Sequence, residues 1–267
     1  MRLRLDQVSG TGKKLRLGNI FRKDGNTVIV AMSHGLAGPI RGIQQPLPTI
    51  QKAIAGGPDA YMTNLATITR YAQEMSVLPA VIWNPGPFCQ HLDPHTAFRC
   101  VEEATRLGVD GLEFPFGAAP DQREEYIKLF GPLGVACERY GMPLLAEPVP
   151  ITPDGKPILD ADVIKVFARL CAELGSDVVK VMYSGSPDSF SKVVDTCPAP
   201  VVIAGGPRTD NPHDVLEMVR GAMDAGASGV AMGRNIWQHE NPTGMVGAVV
   251  RIVHEQATVA EAMESLR

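Results

Sequence analysis

The sequence contains no stretch of about 18 consecutive apolar residues, the length a membrane-spanning helix needs. Its opening, Met1-Arg-Leu-Arg-Leu-Asp6, has no apolar signal core. No membrane partner and a cytoplasmic location are therefore expected. Cysteine is scarce as well. The five residues, Cys89, Cys100, Cys137, Cys171 and Cys197, are odd in number and scattered, with no Cys-x-x-Cys pair. That argues against a disulfide framework or a structural zinc site and favours a reducing compartment. All five read as small buried hydrophobes. Aromatic residues make up only 6% of the chain and give no base-stacking platform, while the net charge of −4 offers no global attraction to nucleic acid. An anionic ligand must be held by a local cluster. No His, Asp or Glu cluster has metal-ligand spacing, and His91-x-x-x-His95 lacks helical support, so no metal is expected. The Gly-x-Ser phrases at Ser184 and Ser186 lack the full nucleophile-elbow pattern.

What is present points to one α/β domain. The chain has 267 residues, 45% hydrophobic and 20% charged. Residues 1–26 are basic and Gly-rich and read as an N-terminal extension packed outside the main domain, with a solvated basic face or an inter-subunit contact as its role. From Thr27 short apolar runs alternate with helical segments. The runs are Thr27–Ser33, Ala60–Asn64, Pro79–Trp83, Gly111–Phe116, Pro143–Pro148, Val178–Tyr183, Val201–Ala204 and Gly229–Met232. Most lack polar alternation, as strands covered on both faces should. Three helical segments end in glycine before the next strand, at Gly108, Gly175 and Gly226. One repeated βα unit predicts a (β/α)8 TIM barrel over 27–267, with an open doubly wound sheet as the alternative.

Within that barrel the working groups belong at the C-terminal ends of the strands. Lys180 stands in an otherwise apolar run, where burial lowers an ammonium's pKa and makes the amine a nucleophile. The other reading is a structural lysine paired with Glu147 or Glu113. Strand alternation puts Val178, Lys180 and Met182 on one face and Val179, Val181 and Tyr183 on the other. Ser33 and His34 end strand 1, and Trp83 and Asn84 end strand 3; His34 is a proton carrier or a loop-holding residue. Glu147 and Glu113 are general acid/base groups or ion-pair partners. Gly205 and Gly206 follow strand 7, and Gly233 and Arg234 follow strand 8 before a short helical segment, Asn235 to His239. Two glycine stretches in those two loops suit a phosphate grip.

The phrases Ser33-His-Gly35, Gly38-Pro-Ile-Arg-Gly42, Asp177-Val-Val-Lys-Val-Met-Tyr-Ser-Gly185, Ala204-Gly-Gly-Pro207 and Met232-Gly-Arg-Asn-Ile-Trp-Gln238 together resemble the class I aldolases of the archaeal fructose-bisphosphate aldolase type. That group includes the aminodideoxyheptulosonate phosphate synthase-like aldolases and the autoinducer-2 phosphate thiolase. The similarity runs from about Leu15 to His254. It implies a Schiff-base lysine at Lys180, a phosphate site at Gly205, Gly206, Gly233 and Arg234, no cofactor, a small phosphorylated ketone or aldehyde as substrate, and a homo-oligomer, commonly a decamer. Thiolase-like acyl transfer by the same lysine and a non-catalytic phospho-ligand-binding role are the alternatives. Two departures stand out. The family's strand 1 phrase reads Asp-His-Gly, and Ser33 occupies the aspartate's place. The family's fructose-bisphosphate members carry a strand 5 tyrosine, and Leu144-Leu-Ala-Glu-Pro-Val-Pro150 has none. Glu147 is the nearest replacement, with Ser33, His34 and Tyr183 as further catalytic candidates. Ordinary fructose-bisphosphate cleavage is not expected.

Overall fold

The computed structural model describes Leu5, Val8, residues 10–86 and residues 94–267; Cys89 and His91 lie outside these. The eight runs form eight strands: β1 (Thr27–Ala31), β2 (Ala60–Thr63), β3 (Ala80–Trp83), β4 (Gly111–Ala118), β5 (Leu144–Pro150), β6 (Val178–Val181), β7 (Val201–Ala204) and β8 (Gly229–Met232). They pair in parallel in sequence order, and β8 returns to β1, so the sheet is a closed barrel and not an open one. Helix α1 (Thr11–Ile20) precedes the barrel. Between strands lie α2 (Pro46–Ala55), α3 (Leu65–Arg70), α4 (Ala72–Met75), α5 (Pro94–Leu107), α6 (Arg123–Tyr140), α7 (Ala161–Glu173), α8 (Pro187–Thr196) and α9 (Pro212–Asp224). After β8 come α10 (Arg234–Trp237), α11 (Pro242–Glu255) and α12 (Val259–Met263). Gly108, Gly175 and Gly226 all take positive φ, which is why glycine recurs at these helix ends.

Alternation divides the strands into two cores. Val28, Tyr61, Leu112, Leu144, Val179, Ile203 and Val230 point outward into the large core under the helices. Ile29, Met62, Ile82, Leu145, Val178, Val202 and Ala231 fill the barrel interior. One step further along the inner face stand Asn84, Glu147, Lys180 and Gly233, two residues beyond Ile82, Leu145, Val178 and Ala231. The lower barrel is therefore apolar filling, and the chemistry begins where that filling ends.

The extension differs from the expected solvated leader. Leu17, Ile20 and Phe21 belong to the interior cluster, so α1 closes the N-terminal end of the barrel. Three of its basic residues, Lys13, Arg16 and Arg22, are spent on the rim. Lys13 is buried and pairs with Glu138 at 2.8 Å and Asp177 at 3.1 Å. Arg16 donates to the Val109 and Gly141 carbonyls, and Arg22 pairs with Asp59. The rim itself repeats one device. Asp59, Asp110 and Asp177, each just before an even-numbered strand, accept the backbone N–H of Val28, Val81 and Leu144 in the preceding strand. A carboxylate thereby satisfies donors that the staggered ends of parallel strands leave open.

His254 of α11 completes this end, bridging Asp24 at 2.7 Å and Asp59 at 2.8 Å. Burial alone would lower its pKa, but its hydrogen bonds to Asp59 and Asp24 outweigh burial and raise it above the ordinary histidine value. A folded pKa above the unfolded one gives stability that is complete below about pH 6.5 and lost as pH rises through the folded value. The midpoint of thermal unfolding is accordingly expected to fall as pH rises through that window. In His254→Gln this fall should flatten, which melts followed by circular dichroism from about pH 5.5 upward into the alkaline range would check.

Candidate active site

Lys180 is the first side chain on the inner face of β6 above the apolar filling. It is buried, and its Nζ lies 3.0 Å from Glu147 Oε2 and 3.4 Å from Glu113 Oε1. These carboxylates come from β5 and β4, so three consecutive strands converge on one amine. Burial alone would depress the ammonium, but Glu147 and Glu113 outweigh it, and its pKa is raised above the ordinary lysine value. The expected depression is therefore corrected: the surroundings are acidic as well as apolar, and the resting lysine is charged. The carboxyls divide in the opposite sense. Glu113 is fully buried, and burial pushes it well above the ordinary carboxylate range. For Glu147, burial pushes upward, but Lys180 and a hydrogen bond with Glu113 bring it below that range. The ammonium thus faces two carboxyls of unequal proton affinity, Glu113 holding a proton the more readily and Glu147 giving one up the more readily.

Asn84 ties this triad to strand 1. Its Nδ2 donates to Glu113 Oε2 and reaches Ser33 Oγ at 3.3 Å, while its Oδ1 accepts the Gly86 N–H at 2.7 Å. Sequence position alone had placed Asn84 at the end of strand 3 without a role, since nothing local ties a strand 3 amide to a strand 4 carboxyl. His34 stands over the other side. Burial, then the charges of Lys180 and Arg234, hold it below the ordinary histidine value, so it is a neutral imidazole near pH 7. Its ring meets Trp237 edge-on, centroids 5.7 Å apart.

Lys180, Glu147 and His34 line a cavity of about 420 Å³, and so do Gly205, Gly206, Gly233 and Arg234. That volume is in the range of small-molecule sites. Val149, Pro157 and Met182 add apolar wall. The amine and the glycine loops thus face one space. The Gly-Arg-Asn-Ile-Trp-Gln phrase holds those loops in place. Asn235 Nδ2 donates to the Gly205 and Pro207 carbonyls at 2.6 and 3.0 Å, and its Oδ1 accepts the Thr209 N–H. Trp237 Nε1 donates to the Ala31 carbonyl, and Gln238 Nε2 to that of Arg41. One short helix, α10, with the residue after it, clamps the loops after β7 and β1. The segment expected at Asn235 to His239 begins one residue earlier and is shorter.

Gly233 is needed for space. A Cβ there would sit 2.5 Å from the Ala31 carbonyl oxygen and 2.9 Å from His34 Cε1. Gly233→Ala is expected to cost about 1–3 kcal/mol, as overpacking does, and to displace His34. Urea denaturation would check the first effect. A shift of the His34 ring resonances by NMR would check the second.

Tyr183 is corrected. It lies beyond the end of β6 with its ring against Phe190, centroids 5.2 Å apart, and it lines a separate cavity with Pro187, Asp214 and Gly221. Its place in the alternation turns it toward α8 and α9, away from Lys180. Arg208 pairs with Asp210 and does not line the lysine cavity. Among the described residues, Cys137, Cys171 and Cys197 are buried and Cys100 is half-buried, all as free thiols. No three His, Cys, Asp or Glu residues among those described are grouped to hold a metal ion. No helix among them is long and apolar enough to cross a membrane.

Comparison with known proteins shows the family and the fold. The family model of the DeoC/LacD family aldolases matches residues 27–239. An uncharacterized aldolase of Saccharolobus solfataricus is 31% identical over 96% of this chain and 99% of its own length. A 2-amino-3,7-dideoxy-D-threo-hept-6-ulosonate synthase of Halobacterium salinarum is 33% identical over 94% of each chain. An archaeal fructose 1,6-bisphosphate aldolase structure superposes with a TM-score of 0.74 at 23% identity, covering 92% of this chain and 100% of that one, which speaks for the fold. The chain belongs to the DeoC/LacD family of aldolases, enzymes that make or break carbon–carbon bonds.

Proposed function

We propose that this protein is a class I aldolase in which Lys180 forms an imine with a small phosphorylated ketone or aldehyde other than fructose bisphosphate. One observation carries the reading: the Lys180 amine and the Gly205, Gly206, Gly233 and Arg234 loops line the same cavity. The loops and the arginine hold the phosphate by backbone N–H groups and a charge-assisted bond. That fixes the carbonyl carbon over Nζ. Lys180 passes a proton to Glu147 at 3.0 Å, and the neutral amine attacks. Glu147, now an acid, protonates the new alkoxide, and a second proton released by the nitrogen returns through the carboxyls to the hydroxyl as water leaves. The protonated imine then draws electrons from the adjoining carbon–carbon or carbon–hydrogen bond. His34, neutral and at the cavity wall, is placed to accept a proton from a substrate hydroxyl.

The absence of a strand 5 tyrosine and of a strand 1 aspartate supports a substrate other than fructose bisphosphate. The synthases among the relatives support a reaction run toward bond formation. The same reading takes the protein as a cytoplasmic homo-oligomer, which light scattering of the purified chain would test. The activity is tested by borohydride trapping with dihydroxyacetone phosphate, glyceraldehyde 3-phosphate and their unphosphorylated counterparts, followed by peptide mass spectrometry. A reduced adduct on Lys180, formed at lower concentration with the phosphorylated member of each pair, is the expected result. No adduct with any of them overturns the reading.

A further inference from the structure

The position that the resemblance assigns to a strand 1 aspartate holds Ser33, whose hydroxyl cannot carry a proton as a carboxyl does. Yet the site is not short of carboxyls. Asn84 Nδ2 contacts both Ser33 Oγ, at 3.3 Å, and Glu113 Oε2. A carboxyl from β4 therefore reaches, through one amide, the place where strand 1 ends. Its other oxygen lies 3.4 Å from the reacting nitrogen. Glu113 also hydrogen-bonds Glu147, which makes a closed circuit of Nζ, Glu113 and Glu147. Only two of the three open to the cavity, since Lys180 and Glu147 line it and Glu113 is fully buried. Such a carboxyl has no access to substrate except through its neighbours. A fully buried carboxyl carries a desolvation cost. The contacts with Lys180 and Glu147 make that placement intelligible.

We propose that Glu113 is a catalytic residue that supplies the carboxyl missing from strand 1, closing a proton circuit with Lys180 and Glu147. The inference rests on the imine reading above. Lys180 first gives its ammonium proton to Glu147, which leaves a neutral amine and two carboxylic acids, an arrangement without net charge in a dry site. The amine nitrogen then bonds to the carbonyl carbon while the carbonyl π pair moves onto oxygen. Glu147 gives its proton to that oxygen, Glu113 passes its proton to Glu147, and Nζ gives one of its protons to Glu113. The products are a neutral carbinolamine and the same two carboxylic acids, so atoms and charge balance. Loss of water follows. Glu147 protonates the hydroxyl, the C–O bond breaks, and the nitrogen lone pair forms the protonated imine, leaving Glu147 as the anion that pairs with it.

The circuit predicts what Glu113→Gln will do. The amide can accept from Asn84 and donate to Glu147 but cannot relay a proton. The variant is expected to keep its fold by circular dichroism and to form the Lys180 adduct with dihydroxyacetone phosphate about 100-fold more slowly, within the range general acid–base groups contribute. Adding Ser33→Asp should recover a large part of that rate, because it returns a carboxyl to the strand 1 position. In the parent, the rate of adduct formation measured across mixtures of light and heavy water should curve, as it does when several protons move together. An unchanged rate in Glu113→Gln, a double variant no faster than the single one, or a linear proton inventory in the parent would each overturn the circuit. The parent separates the two readings. If it forms no adduct, the imine itself is wrong; if it forms one and Glu113→Gln forms it equally fast, only the role of Glu113 is wrong.

Discussion

Alanine at position 180 is expected to abolish the borohydride-trapped adduct and to reduce aldol turnover to background. No other lysine lines the cavity, so the covalent route has no substitute there. The same substitution should also reveal what the lysine does for the fold. It would leave Glu113 and Glu147 facing each other without their cation, at positions where burial already favours the protonated form. Removing one partner of a buried ion pair commonly costs about 3–5 kcal/mol. The sign of the pH dependence follows from Glu147. In the parent its folded pKa is lowered, so its contribution is present above the unfolded value and is lost as pH falls through the folded one. In Lys180→Ala the cation is gone and burial, the largest influence on Glu147, pushes its pKa above the unfolded value, so the variant loses stability as pH rises past about 4.3. The stability gap between parent and variant should therefore widen as pH rises from about 4 toward neutrality. Urea melts of both proteins across that range would measure it. A trapped adduct that survives in Lys180→Ala would rule out this lysine as the nucleophile.

Glutamine at position 147 is the second large effect. The amide keeps the shape of the side chain and its hydrogen-bonding reach toward Lys180 at 3.0 Å. It removes the group that takes the ammonium proton and returns one to the leaving oxygen. Loss of a positioned general acid/base costs roughly 10²–10⁴-fold. We expect kcat to fall by about that factor with little change in KM, because the phosphate grip is built from other loops. Loss of Glu147 also removes a carboxylate beside His34, one that raises the imidazole's pKa, so His34 should titrate lower in the variant. Full turnover in Glu147→Gln alongside complete loss in Lys180→Ala would show that the acid/base group lies elsewhere.

The two substitutions are not independent of the carboxyl beneath them. Glu113, Glu147 and Lys180 share hydrogen bonds, so their effects should not add. Changing both glutamates should cost less than the product of the single losses, since a circuit opened at one point is already open. That non-additivity is what separates one proton-carrying unit from two separate acids.

How much of this was legible in the chain differs from residue to residue. Lys180 was visible because a charged residue inside an apolar run contrasts with its neighbours, and a strand buried on both faces has no polar rhythm to hide it. The loops at Gly205 and Gly233 were visible because glycine marks turns and close approaches. Tyr183 was kept as a candidate for its nearness to Lys180 although alternation already put it on the other face, and the structure holds it there against Phe190. The extension was misjudged by composition. Its lysines and arginines look solvated, yet Lys13 and Arg22 reach carboxylates in or just after other helices, 37 to 164 positions away. Lys180 was expected to be depressed because the run around it is apolar, and strands 4 and 5 brought the carboxylates that reversed the sign.

By itself, the sequence determined the number and phase of the strands, the glycine turns, the lysine's place in an apolar strand and the loops suited to phosphate. These depend on local spacing: alternation along a strand, positive φ at a helix end, short turns beside a sheet. Tertiary structure alone decided which groups meet Lys180. The glutamate of β4 lies 67 positions away along the chain and comes within 3.4 Å only because the barrel closes in strand order. Asn84 joins it to Ser33 across 51 positions for the same reason. An ionisation state depends on distance through space, and spacing along the chain does not carry that distance.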